Sequence, residues 1–152
     1  MTDDIGIETP GDPYDLERFL AAQHGSYERA LAEVESGRKR SHWMWYVFPQ
    51  LDGLGHSAMA RRYAIRSRAE AEAYLRHPVL GARLRACAEA ALGIERLSAH
   101  EIFGSPDDLK LHSSVTLFAA VSPAASVFHQ LLDRYFAGEP DAATVRLLAE
   151  RR

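Results

Sequence analysis

Repeated helix punctuation is the feature that most limits what this chain can fold into. Asp12-Pro13, Ser105-Pro106 and Ser122-Pro123 each set a capping side chain directly before a proline. That order suits an N-cap followed by the first helical position. Ser67-Arg68-Ala69-Glu70 and Ser98-Ala99-His100-Glu101 have the spacing of a capping box. Ser57, Pro78 and Asp141 mark further starts. Apolar residues follow at helical spacing, as in Leu16, Phe19, Leu20, Tyr27, Leu31 and Val34, or in Leu80, Leu84, Cys87, Ala88 and Ala91. Gly37 and Gly138 suit helix ends. Gly25 interrupts the first pattern, which is therefore one long helix or two short ones. Trp43 to Phe48 is apolar all round, so it is a short buried helix or a buried extended piece, ended by Pro49. Strict alternation, tandem repeats and low-complexity tracts are missing. The pattern predicts an all-α, compact single domain of seven or eight short helices over residues 13–152, after a flexible lead-in over residues 1–12.

A chain of 152 residues suits one domain. At this size it buries about 70% of its unfolded surface and needs no metal or disulfide to fold. A formal charge of −3 gives no global attraction to nucleic acid or to an anionic membrane, so neither is expected as a partner. Any anion site has to come from a local cluster. No apolar run approaches the roughly 20 residues of a membrane span, and the acidic start Met1-Thr2-Asp3-Asp4 is unlike a signal peptide. The single cysteine, Cys87, suits the cytoplasm and lies on an apolar helix face, where it reads as an inert core thiol. The seven histidines include no His-x-x-x-His pair, so no metal site is expected. No nucleophile elbow or Walker loop is present, and no cofactor is expected.

Chemistry concentrates in two segments. The first is Gly37-Arg38-Lys39-Arg40-Ser41-His42-Trp43-Met44-Trp45-Tyr46-Val47-Phe48-Pro49-Gln50, where three cations abut a histidine and an aromatic run. Of the 18 basic residues only Lys39 and Lys110 are lysines, which draws attention to both, because ammonium and guanidinium differ as ligands. Arg38 and Arg40 read as a solvated helix end. Tyr46 and Phe48 read as core. Trp43 and Trp45 are either core or a stacking platform for a flat ring. The second segment is Lys110-Leu111-His112-Ser113-Ser114-Val115-Thr116. On a helix Lys110, Ser113 and Ser114 share a face and line a pocket, unless the serines bond back to carbonyls one turn earlier. Gly53-Leu54-Gly55-His56-Ser57 is either a tight turn or an anion loop at a helix start. Asp107, Asp108 and Asp141 read as caps.

These segments, with Tyr63-Ala64-Ile65, Glu70-Ala71, Tyr74-Leu75, His77-Pro78 and Thr116-Leu117-Phe118, resemble the bacterial domain-of-unknown-function family 1810. The resemblance spans residues 14 to 148 and implies a compact all-α fold. It implies no activity.

Two functional expectations follow from the residues. In the first, Lys39 and Lys110 contact an anionic, nucleotide- or ADP-ribose-like small molecule, and Trp43 or Trp45 stacks on it. Gln50, Ser57, Ser113 and Ser114 complete the site, and His42 serves as acid or base near neutral pH. In the second, the aromatic cluster 42–48 is the docking surface of a protein-interaction module. A concave pocket joining the two lysine segments favours the first, and a flat exposed aromatic patch favours the second.

Overall fold

A computed structural model describes residues 11–151. Most of the expected lead-in, residues 1–10, lies outside the described residues. Ten helices are present among those described: α1 (Glu17–Gln23), α2 (Tyr27–Glu35), α3 (Met44–Val47), α4 (Ala58–Arg62), α5 (Arg68–Arg76), α6 (Leu80–Leu92), α7 (Ala99–Phe103), α8 (Asp107–Ala120), α9 (Val127–Phe136) and α10 (Ala142–Glu150). The expected count is exceeded because Gly25, at φ 78°, separates α1 from α2 and because Trp43–Phe48 contains a one-turn helix. None of these helices is long and apolar enough to cross a membrane.

Helix α8 is the hub. Helices α3, α5, α7, α9 and α10 pack on it, while α6 packs on α2, α5 and α9. The composition of α8 explains this position. Leu111, Val115, Leu117 and Phe118 are all fully buried, and Ser113, Ser114 and Thr116 are buried with them. A helix covered on most of its circumference belongs in the middle of a domain. Thr116 satisfies its hydroxyl by donating to the His112 carbonyl at 2.7 Å, and Ser113 donates to the Leu109 carbonyl at 3.2 Å. Ser114 is the exception, because its buried hydroxyl has no partner among the described residues.

Several helix starts differ from the sequence expectation. Asp12 does cap, but its carboxylate reaches the amides of Leu16 and Glu17 at 2.8 Å, so Pro13 sits in the turn before α1. Ser126, not Ser122, caps α9. The Ser98 box is complete. The Ser67 box is only half formed. Ser67 accepts from the Glu70 amide at 3.0 Å, but the Glu70 carboxylate turns away to the Arg66 amide and to Arg18, each within 3.0 Å. Arg18 is 7% exposed and also donates to the carbonyls of Tyr14, Asp15, Arg62 and Ala64. A buried guanidinium needs such full satisfaction, and removing one partner of a buried pair costs about 3–5 kcal/mol. The clasp ties α1 and α5 to the loop before α5. That loop also pairs with the chain at Leu51. The Ile65 amide donates to the Gln50 carbonyl at 2.9 Å and the Asp52 amide to Ile65 at 2.8 Å, which fixes Gln50 beside α4.

Candidate functional site

The first lysine is positioned by Glu33. Helix α2 ends at Gly37, whose φ of 78° suits glycine, and the chain folds back over the last turn. There the Glu33 carboxylate accepts from the amides of Arg40 and Ser41 at 2.9 and 3.0 Å, the Ser41 hydroxyl at 2.6 Å and the Trp43 indole at 2.8 Å. Burial pushes the Glu33 carboxyl up, but these four hydrogen bonds outweigh it and hold it at about 2. An anion at a helix C-terminus opposes the helix dipole. The loop donors turn that unfavourable position into a clamp.

The clamp delivers Lys39 inward. Its ammonium stands 4.9 Å from the Trp43 ring centroid, donates to the Ser41 carbonyl, and pairs with Asp107 at 2.7 Å. The other Asp107 oxygen pairs with Lys110 at 3.2 Å, and Lys110 stands 4.6 Å from the centroid of Trp45. One carboxylate thus bridges the two lysines, and each lysine lies against a tryptophan. The pairs are not equivalent. The Lys39 side chain is 5% exposed and its contact is short, whereas Lys110 is 22% exposed and its contact is longer. Lys39 neutralises Asp107 from behind, and Lys110 keeps donors free to turn outward.

Lys110 looks onto a cleft of about 530 Å³. Trp45, Gln50, the Leu54–Ser57 turn and Ala60 line it. The first turn of α8, Ser113, Asp141 and Ala143 complete it. Residues from the N-terminal ends of α8 and α10 therefore line the same space. Ser57 caps α4 by accepting from the Ala60 amide at 3.1 Å. Asp141 caps α10 by accepting from the Thr144 amide at 3.0 Å and its hydroxyl at 2.7 Å, and it also accepts from Ser113 at 3.4 Å. Gly55 is required where it stands, because an added Cβ would lie 2.6 Å from the Ala60 methyl.

The two lysine segments meet as the sequence suggested, and Trp45, Gln50, Ser57, Lys110 and Ser113 line one cleft. The other candidates lie elsewhere. Lys39 is behind the wall rather than on it. Trp43 is fully buried with its indole N–H committed to Glu33, so no ring can stack on it. Ser114 is wholly covered and does not line the cleft. His42 is exposed and does not line the cleft. Nor does the run 42–48 offer a flat aromatic face, because Trp43, Met44, Val47 and Phe48 are core. Sequence reasoning missed Glu33 and read Asp107 as a cap. Pro106 occupies the N-cap position of α8, and Asp107 makes ion pairs instead. Glu33 left a usable trace, since an acidic residue in the last turn of a helix is electrostatically misplaced. Asp107 left none, because an aspartate in a first turn is what the dipole favours anyway.

No curated protein matches this chain. Among solved structures, the conserved hypothetical protein Rv1873 from Mycobacterium tuberculosis is similar at 52% identity, with a TM-score of 0.89, over 91% of this chain and 99% of that one. Residues 13–148 match the family described as protein of unknown function DUF1810. With nearly the whole described domain covered by that match, the chain belongs to the DUF1810 family.

Proposed function

We propose that this protein binds a small anionic, nucleotide- or ADP-ribose-like molecule in the cleft between Trp45, the Leu54–Ser57 turn and the N-terminal ends of α8 and α10. The observation that carries this reading is the state of Lys110. Its counter-ion Asp107 is already paired with the buried Lys39, so an incoming phosphate or carboxylate meets an ammonium only partly neutralised. A charge-assisted contact of this kind is stronger than a neutral one. Trp45 supplies an apolar surface at the same wall, with one ring face covered by the Lys110 ammonium. Recognition in this cleft needs neither His42 nor Trp43.

Tryptophan fluorescence provides the test. AMP, ADP-ribose, NAD and succinate are titrated in parallel into the wild type and into Lys110→Ala. Binding is expected to change the Trp45 emission, to weaken as salt rises, and to fall about tenfold in the variant, the loss of one charge-assisted contact. If none of the four alters fluorescence or melting temperature at millimolar concentration, the reading is wrong.

A further inference from the structure

The cleft holds a carboxylate as well as an ammonium. Asp141 uses one oxygen, Oδ2, for all of its contacts with Ser113 and Thr144. Among the described residues its other oxygen has no hydrogen-bond partner. The Gln50 side-chain amide, which lines the same cleft, likewise makes no hydrogen bond among the described residues. A plain anion would gain nothing from Asp141 and would be repelled by it. A ligand that fits both ends presents its charge to Lys110 and hydrogen-bond donors to Asp141.

Those donors are hydroxyls rather than an ammonium. The Asp141 charge is already stabilised by three donors, the Thr144 amide at the start of α10 and the Thr144 and Ser113 hydroxyls, so the remaining oxygen needs a donor but no counter-charge. Gln50 presents both a donor and an acceptor, and a hydroxyl answers both. On the strength of the anion-binding reading above, we infer that the cleft recognises a phosphorylated polyol of the sugar phosphate class. Its phosphate lies at Lys110, and its hydroxyls lie between Asp141 and Gln50.

Calorimetric titration of the full chain with inorganic phosphate, ribose 5-phosphate, ribose and phosphoethanolamine separates the possibilities. Ribose 5-phosphate is expected to bind at least tenfold more tightly than inorganic phosphate, and more tightly than phosphoethanolamine. Asp141→Asn keeps an oxygen to cap α10 and replaces the open acceptor with a donor. It is expected to remove most of the advantage of ribose 5-phosphate over inorganic phosphate, while the affinity for inorganic phosphate rises because the repelling charge is gone. Gln50→Met, away from any cap, is expected to reduce the same advantage, so a folding defect in one variant does not decide the matter. Equal affinity for phosphate and ribose 5-phosphate, or a preference for phosphoethanolamine, overturns the sugar phosphate assignment but keeps the anion site. Binding of no phosphate compound at all, or of ribose as tightly as its phosphate, overturns the anion site itself.

Discussion

Replacing the two lysines separately by methionine should split stability from binding. Methionine keeps an apolar stem, so the change isolates the ammonium. Lys39 is 5% exposed, lies over Trp43, donates to Ser41 and makes the shorter contact with Asp107. Its cation–π contact contributes about 0.5–2 kcal/mol. Breaking a buried pair costs about 3–5 kcal/mol, reduced here because Asp107 retains Lys110. We expect Lys39→Met to cost about 2–3 kcal/mol, which lowers Tm by about 5–10 °C for a domain of this size. Lys110 is 22% exposed, and its loss leaves Asp107 with the better of its partners. A partly exposed pair contributes about 0–1 kcal/mol and the Trp45 contact about 0.5 kcal/mol, so Lys110→Met should shift Tm by less than about 5 °C and by less than Lys39→Met. Thermal melts followed by circular dichroism, with urea denaturation as a second measure, read both. Equal losses from the two variants, or a Lys39→Met protein as stable as the wild type, would refute the assignment of Lys39 as the buried counter-ion and Lys110 as the outward one.

Three further outcomes follow from the same geometry. The Glu33 carboxyl is held at about 2 against an ordinary 4.5, so its contribution is complete above about pH 4.5 and is lost as pH falls toward 2. Urea titrations between pH 2 and 6 should show a shallower acid decline for Glu33→Gln, and an unchanged slope would contradict the clamp. Burial pushes the Cys87 thiol up to about 12. A disulfide reagent at pH 8 should label it only after denaturant is added, and rapid native labelling would show the site to be open. Gly55→Ala forces a methyl to within 2.6 Å of Ala60. Overpacking of this kind costs about 1–3 kcal/mol, and the displaced turn should weaken ligand binding as well, which a melt and a fluorescence titration would check together.

The fold was legible because helix boundaries are local. Capping serines, prolines and stop glycines act over four or five residues, and the sequence displays them directly. In one place where the expectation slipped, a distant partner intervened. Glu70 left its capping box because Arg18, 52 positions away, needed a buried counter-ion. The site was legible only in outline. Polar residues interrupting apolar runs at Lys39 and Lys110 signalled a shared location, and they do meet. Which lysine faces outward was not readable, because that depends on Asp107 and on a loop folded around Glu33. Trp43 and Trp45 stand two residues apart in one aromatic run, yet one is core and the other lines the cleft. No local pattern separates them, since α3 is a single turn whose orientation is fixed by its contacts with α1 and α8.

The most direct test of the binding cleft is a set of amide nitrogen–proton NMR spectra recorded while ribose 5-phosphate is titrated into the labelled protein. We expect the shifts to concentrate at Gly55, His56 and Ser57, at Lys110, at Ala142 and Ala143, and at the Trp45 indole, with the Trp43 indole unmoved. Shifts confined to another face, such as the arginine-lined hollow at Arg61, Arg62 and Arg66, or no shifts at millimolar ligand, would contradict the assignment of this cleft as the anion site.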